Sequence, residues 1–217
     1  MKSDTQLQKD VTDELRWERS ISEKEIAVAV KDGVVTLGGY VQSYAQKRAA
    51  EQAVAKVAGV RAVAEDIQVK LPTSSQRSDT EIAHAAINAL KWDTEVPDEL
   101  IKPKVENGWV TLEGAVEFFY QKSAAERCVR FLNGVRGVIN LMSVKPGATT
   151  TKISENIEAA LKRRAEMDAD KIKVDTTDGK VTLRGSVHSW LELKEVENAA
   201  WATPGVWSVD DRLAVVP

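Results

Sequence analysis

The fold is decided by the sequence DGVVTLGG at residues 32–39, because close copies of it recur twice further along the chain. The copies read NGWVTLEG at residues 107–114 and DGKVTLRG at residues 178–185. Asp-Gly or Asn-Gly between apolar runs is the strongest short-range signal for a β-hairpin, since both turn residues must accept a positive φ. The Val-Thr-Leu that follows is typical of a strand that turns its Val and Leu to one face. We therefore predict one hairpin, built three times.

The hairpin motif is part of a longer repeat that aligns without a gap inside each copy. Three glycines coincide in every copy, and we expect them to define the fold at turns, close backbone contacts and helix ends. They are Gly33, Gly39, Gly59, Gly108, Gly114, Gly134, Gly179, Gly185 and Gly205. The repeat predicts three modules, at residues 1–71, 78–145 and 149–217.

Each copy presents its secondary-structure signals in the same order. Apolar residues four apart, such as Leu7, Val11 and Leu15, predict a first helix, and an alternating strand leads into the hairpin. A second helix and a final alternating strand complete the copy. The expected fold class is α+β, with three tandem α-β-β-α-β modules, each a three-stranded mixed sheet with two helices packed on one face. A right-handed crossover makes the last strand parallel to the one before it.

The composition bounds the class of protein. With 43% hydrophobic residues, 29% charged residues and a net charge of -3, the chain reads as a soluble globular protein. Apolar runs stay short of the roughly 18 residues of a transmembrane segment, so none is expected. Cys128 is the single cysteine, which favours a reducing compartment. The polar first residues lack a secretory signal, which predicts a cytoplasmic location, or a periplasmic one if a signal peptide has been removed.

Residues that carry chemistry are scarce. His84, Cys128 and His188 have no counterpart in the other copies and share no zinc-ligand spacing. We therefore expect no enzyme, no cofactor and no metal. Nucleic-acid binding is not expected either, because none of the three modules carries a net positive charge.

The most suggestive pattern lies at the start of the second helix, where an aromatic residue occupies one equivalent position in each copy. The aromatic residues and the basic residues that follow them are Tyr44, Lys47, Arg48, Phe119, Lys122, Arg127 and Trp190. An amphipathic ring beside basic side chains at a helix start suits an anionic headgroup surface or a protein partner. The alternative is that the aromatic ring packs locally over the helix start against the hairpin.

The other tryptophans suggest structural roles. We expect Trp17 and Trp92, which are equivalent, to fix the end of the first helix against the sheet edge. Trp109 follows a hairpin turn and is the aromatic residue that we most expect to be exposed. For Trp201 and Trp207, a contact between modules or subunits and a place in the local core remain alternatives.

The repeat resembles the BON domain, a family named for bacterial osmotically inducible and nodulation proteins. The resemblance is carried by the pattern from the turn glycine to the second strand, together with a later GVxxV motif. These stretches are residues 33–41 with 59–63, 108–116 with 134–138, and 179–187 with 205–209.

The resemblance implies a non-catalytic module associated with phospholipid or envelope surfaces and with osmotic or general stress. Our first hypothesis is a stress protein that binds anionic phospholipid or an envelope protein. A cytoplasmic member of the family binds potassium, and the acidic turn residues Asp32 and Asp178 make an ion or small-ligand sensor the second hypothesis. The third is a structural protein whose repeats form oligomers.

Overall fold

The computed structural model describes residues 2–21, 25–145, 153–163 and 171–216 of the chain. It shows three α+β modules along the chain, each with a mixed sheet, as the sequence predicts. Residues 146–148, between the second and third predicted modules, lie outside the described residues.

The first module begins at Ser3, whose side chain accepts a hydrogen bond from the backbone N–H of Gln6 and so caps the first helix. Its elements are α1 (Asp4–Trp17), β1 (Ile26–Lys31), β2 (Val34–Val41), α2 (Tyr44–Ala55) and β3 (Ala62–Val69). The strand order is β1-β2-β3, so β1 is an edge of its sheet. Gln8 protects that edge, because its Nε2 donates to the carbonyl oxygen of Val28 at 2.7 Å.

The second module repeats this order and breaks its last strand in two. Its elements are α3 (Asp79–Trp92), β4 (Ile101–Glu106), β5 (Trp109–Val116), α4 (Phe119–Val129), β6 (Gly137–Asn140) and β7 (Ser143–Val144). Both short strands pair in parallel with β5. Leu141 lies outward at the break, while Met142 enters the core. Pro103 lies within the edge strand β4, a place where the missing N–H is tolerated.

The third module ends in an unbroken strand. Its elements are α5 (Ile153–Lys162), β8 (Ile172–Thr177), β9 (Lys180–Val187), α6 (Trp190–Trp201) and β10 (Ser208–Val215). β8 pairs antiparallel with β9, and β10 pairs parallel with β9 along its whole length. The parallel pairing agrees with the predicted right-handed crossover.

Both helices of the second module cover one face of its sheet, as predicted. The alternating residues Val110 and Leu112 of β5 are fully buried and belong to one hydrophobic cluster with residues of α3 and α4. The helix members of this cluster are Ile82, Ala86, Leu90, Ala124, Ala125 and Val129. The opposite face of β5 carries the exposed Trp109.

The hairpin glycines behave as the sequence predicts. Asn107 and Gly108 have φ values of 53° and 80°, the positive values that the turn requires. Gly114 has a φ of 141°, and a Cβ atom there would overlap the carbonyl oxygen of Leu100 and lie 3.2 Å from its carbonyl carbon. The glycine inside the strand therefore permits a close backbone contact, which its equivalents in the other copies also make.

The glycine after the second helix differs from expectation. Helix α2 ends at Ala55, four residues before Gly59, instead of directly before the glycine. A tight turn separates them, in which Val57 N–H donates to Val54 and Val60 N–H donates to Val57. Gly59 keeps a positive φ of 99°, so it redirects the chain after this turn and does not cap the helix.

A carboxylate at the start of the first helix fixes the hairpin turn. The two oxygens of Asp79 accept hydrogen bonds from the backbone N–H groups of Asn107 at 2.7 Å and Gly108 at 2.9 Å. Asp4 makes the same pair of contacts to Asp32 and Gly33 in the first module. The sequence pattern does not predict this contact, because its two partners are 28 residues apart. The acidic residue is expected at a helix start in any case, so it gives no separate signal for the turn.

Candidate functional site

Tyr44, the first predicted surface aromatic, is buried. It is 9% exposed and belongs to the hydrophobic cluster of the second module, together with Ile82 and Val135. Residues Tyr40–Arg48 form one compact unit with residues Gln68–Lys145, which explains this placement. Tyr44 is therefore a packing residue, and the neighbouring Lys47 and Arg48 are half-buried.

In the second module the exposed aromatic residues flank the predicted one. Phe119 is half-buried, whereas Phe118 and Tyr120 are 47% and 54% exposed. Their rings stack in parallel, with centroids 5.7 Å apart. The backbone N–H groups of Glu117 and Phe118 both donate to the side-chain oxygen of Gln121, which fixes this helix start. The sequence shows three consecutive aromatic residues here, which could have indicated an exposed aromatic surface. The alignment of the three copies singled out Phe119, which is the least exposed of the three.

The predicted basic residues of α4 are engaged within the module. The Arg127 guanidinium lies 2.6 Å from a carboxylate oxygen of Glu95, and this hydrogen bond raises the pKa of Arg127. Lys122 is half-buried, and loss of hydration lowers its pKa, which Glu126 partly opposes. These two charges are therefore less available to an anionic surface than the sequence indicates.

In the third module Trp190 is half-buried at the start of α6, where the Ser189 side chain accepts from Glu192 N–H at 3.1 Å. The nearby cation, Lys194, is 6.0 Å from the ring centroid of Trp190. Lys194 also forms an ion pair with Glu197 at 2.7 Å. The acidic neighbours thus offset the positive charge beside this aromatic residue.

The prediction for Trp17 and Trp92 was wrong, because their side chains are 84% and 85% exposed. Each tryptophan lies two positions after the last buried residue of its helix, Leu15 or Leu90. Two residues rotate a helix by about 200°, so the side chain points away from the sheet. Helical geometry could have revealed this exposure from the sequence alone.

Basic and apolar residues surround these two tryptophans in sequence. Arg16 precedes Trp17 in the last turn of α1, and Lys91 precedes Trp92 in the last turn of α3. Ile87, on the exposed side of α3, is 50% exposed. In the third module, an arginine, Arg163, occupies the position equivalent to the tryptophans.

The remaining tryptophans make local contacts. Trp109 is 44% exposed, which confirms the prediction that this aromatic side chain is exposed, although Trp17 and Trp92 are more exposed still. Trp207 donates from its indole nitrogen to the carbonyl oxygen of Asp178 at 2.8 Å, and Trp201 packs partly buried against the core of the third module. Trp201 therefore lies against the local core, Trp207 makes a local contact at the hairpin turn, and a contact with another subunit stays a prediction for both.

Cys128 has the surroundings of an unreactive thiol. Its sulfur donates a hydrogen bond to Asp93 at 3.1 Å, and burial, together with that carboxylate, raises its pKa to about 12. The thiolate is the nucleophilic form of cysteine, so this side chain is a poor nucleophile at neutral pH. His84 is exposed on α3, and His188 lies 3.3 Å from Glu192.

Within the described part of the chain, no three His, Cys, Asp or Glu residues cluster so as to hold a metal ion. Within the same residues, no helix has both the length and the apolar character needed to span a bilayer.

Comparison with known proteins gives a consistent family match. The sequence pattern of the BON domain matches residues 3–70, 78–146 and 149–217. The chain is 34% identical over 124 residues to osmotically-inducible protein Y of Escherichia coli strain K12. That alignment covers 52% of this chain and 60% of the relative, so the match spans less than two thirds of the relative's length.

Two solved structures of CdsD, a structural protein of the type III secretion system of Chlamydia trachomatis, also align with the chain. Each is 14% identical, and the alignments cover 98% and 100% of this chain and 93% and 100% of the CdsD chains. The TM-scores are 0.27 and 0.26, values too low to establish anything further about this chain.

Proposed function

This chain belongs to the BON domain family, and on that basis we propose that it is a non-enzymatic stress protein that binds anionic phospholipid surfaces. The proposed contact points are the ends of α1 and α3, where Trp17 and Trp92 project. The third module, with Arg163 at the equivalent position, takes no part in this contact.

The observation that carries the proposal is the exposure of two equivalent tryptophans, at 84% and 85%. Tryptophan favours the membrane interface, where its apolar body leaves water and its indole N–H remains hydrated. Burying a large apolar side chain contributes about 1.5–3 kcal/mol, and an interfacial ring gains part of that. We therefore expect each tryptophan to contribute about 1.5 kcal/mol, or roughly tenfold in affinity.

Charge supports an anionic surface over a neutral one. Lys91 adjoins Trp92, and a basic residue near an anionic membrane contributes about 1 kcal/mol. Arg16 adjoins Trp17 but also lies 3.3 Å from Asp13, so its contribution is smaller. This attraction falls off within a Debye length, so salt should weaken it. Ile87, five residues before Trp92, lies about 140° from it around α3, so it is a separate exposed apolar position, where the first module has Thr12.

The stress role draws its support from the partial likeness to osmotically-inducible protein Y. The same likeness, together with the BON domain matches, supports a protein that binds and does not catalyse. The compartment stays a prediction, and so do the ion-sensor and oligomer hypotheses, which no specific contact among the described residues favours.

Sedimentation with vesicles of phosphatidylglycerol and phosphatidylethanolamine tests the proposal. We expect the full chain to bind at low salt and Trp92→Ala to weaken binding about tenfold, with a further loss in the Trp17→Ala/Trp92→Ala double variant. Trp109→Ala is the matched control, since it removes a tryptophan from the sheet face. Equal binding by the double variant and the wild type would refute the role of the helix ends.

The helix starts predicted from the sequence remain a second, separable lipid contact. Phe119→Ala with Lys122→Glu tests the predicted residues, and Phe118→Ala with Tyr120→Ala tests the exposed pair beside them. Loss of vesicle binding in either variant, with the helix-end tryptophans intact, would move the contact to the start of α4. Absence of binding by the wild type across anionic compositions would end the lipid proposal.

A further inference from the structure

The sequence contains two Asn-Gly pairs, Asn107-Gly108 and Asn133-Gly134, and both lie in the second module. Both asparagine side chains are exposed to solvent, while both glycines are buried. Asn-Gly is the pair most prone to deamidation, because glycine has no side chain to hinder the approach of its backbone nitrogen to the asparagine amide. Each pair therefore carries the chemical groups that the reaction needs.

Deamidation proceeds through a five-membered ring. The backbone nitrogen of glycine loses its proton to solvent and attacks the side-chain carbonyl carbon of asparagine. The side-chain nitrogen takes up a proton and leaves as ammonia, and water then opens the succinimide at either carbonyl carbon to give aspartate or isoaspartate. The reaction needs only water as co-reactant. It also needs a glycine nitrogen that can lose its proton and move toward the asparagine side chain.

At the hairpin turn, the glycine nitrogen is already engaged. The N–H of Gly108 donates to one carboxylate oxygen of Asp79 at 2.9 Å, and the N–H of Asn107 donates to the other at 2.7 Å. A carboxylate at this distance opposes loss of the glycine proton, because the nitrogen would become an anion beside an anion. The two hydrogen bonds also hold both peptide groups in place, so the nitrogen cannot approach the side chain unless they break.

The position of this carboxylate is fixed by the helix. Asp79 is the first residue of α3, and Ser78 and Glu81 cap the helix start reciprocally. The hydrogen bonds from Asp79 to the turn therefore persist for as long as the start of α3 is folded.

The second pair has no such contact. Asn133 and Gly134 are the central residues of a turn that is closed by a hydrogen bond of 3.2 Å from Val135 N–H to the carbonyl oxygen of Leu132. Among the hydrogen bonds of the residues that the structure describes, none involves the N–H of Gly134. This glycine nitrogen thus keeps the freedom that Gly108 lacks.

The other modules lack this chemistry at the same places. The residue equivalent to Asn133 is Ala58 in the first copy and Pro204 in the third. The turn asparagine is replaced by aspartate in both other copies. A side-chain amide before either glycine is therefore a property of the second copy alone.

We propose that Asn133 is the site at which this protein deamidates, and that the carboxylate of Asp79 protects Asn107 while the second module is folded. The proposal is independent of the lipid contact at the helix ends.

The isoaspartate product has a structural consequence. Isoaspartate lengthens the backbone by one carbon directly before Gly134. A Cβ atom at Gly134 would lie 2.8 Å from both the Cδ1 of Ile82 and the Cβ of Arg77, so the chain is closely packed at this glycine. The longer backbone should therefore loosen the contact between this turn and the start of α3.

Peptide mapping by mass spectrometry measures both sites in one sample of the full chain, incubated in mildly alkaline buffer. We expect Asn133 to deamidate at least about tenfold faster than Asn107, since reaction at Asn107 must first break two hydrogen bonds to a charged group. In urea, where these hydrogen bonds are lost, the two rates should converge. Equal rates in the folded protein, or a faster rate at Asn107, would overturn the assignment.

Asp79→Ala tests the protection directly. It should raise the rate at Asn107 about tenfold and leave the rate at Asn133 in the same sample unchanged. Asp79→Asn, which keeps an acceptor oxygen, should raise the rate at Asn107 by less. Asp4→Ala is the matched control, because it removes the equivalent contacts of the first module and should not alter either rate. An unchanged or slower rate at Asn107 in both Asp79 variants would refute the protection.

Asn133→Asp separates charge from backbone length. Hydrogen exchange at the start of α3 should be faster in the purified isoaspartate form than in Asn133→Asp. Equal protection in the two proteins would contradict the structural consequence drawn from the packing of Gly134.

Discussion

Replacing Gly114 with alanine should destabilise the second module strongly. The new Cβ atom would overlap the carbonyl oxygen of Leu100, and the residue would keep a φ of 141° that only glycine adopts readily. Overpacking costs about 1–3 kcal/mol and backbone strain a similar amount. We therefore expect a loss of about 3 kcal/mol in the free energy of unfolding, roughly a hundredfold in the equilibrium constant.

Hydrogen exchange of the full chain, followed by mass spectrometry, measures this loss module by module. Protection should fall in peptides from residues 101–144 and remain in those of the third module. Gly38→Ala is the matched control, because a Cβ atom at Gly38 meets nothing within 4 Å. The other copies carry Glu113 and Arg184 at that position, so a side chain is tolerated there.

Unchanged protection in Gly114→Ala would refute the reasoning. It would mean that the β4–β5 hairpin can move apart at little cost, and that the close contact with Leu100 does not hold the strands in register. An equal loss in Gly38→Ala would point instead to general weakness of strands toward substitution.

Three further predictions rest on single contacts. Tyr44→Ala should lower the free energy of unfolding of the second module by about 3 kcal/mol, because it leaves a cavity. Tyr40→Ala, at an exposed position, should lower it far less, and hydrogen exchange compares the two variants. Asp79→Ala should lower the free energy of unfolding by about 1–2 kcal/mol, since two turn N–H groups lose their acceptor. Urea unfolding should show a smaller loss for Asp79→Asn. Cys128 should resist alkylation at pH 8 until the protein unfolds. Its folded pKa of about 12 exceeds the ordinary 9.0, so the thiol's contribution to stability is complete below pH 9 and is lost as pH rises toward 12; Cys128→Ala should remove that part of the pH dependence.

The hairpin and the module repeat could be predicted from the sequence because they depend on local chemistry. The turn pair Asn107-Gly108 needs positive φ values, and few residue types adopt them readily. The alternation in β5 places Val110 and Leu112 on the buried face whatever lies beyond the module. These constraints act within a few residues, which is the range that a pattern records.

The candidate surfaces were harder to predict, because they depend on contacts distant in sequence. Tyr44 and Phe119 occupy equivalent positions, yet Tyr44 enters the core of the second module and Phe119 does not reach comparable burial. An alignment of the copies assumes that equivalent residues have the same surroundings. That assumption fails for Tyr44, which packs against residues of the following copy. Trp92 is a different case, since rotation along the helix already places it opposite Leu90.

When a chain contains several copies of one domain, a strand of one copy can pair in place of the equivalent strand of the next copy during folding. Neighbouring domains of different sequence avoid this error. Two edge strands each lack one free backbone group for such pairing. The carbonyl oxygen of Val28 in β1 already accepts from Gln8, and Pro103 in β4 has no N–H. The third copy has Ser154 and Val174 at these positions. On heating, strand exchange between molecules should therefore begin at β8.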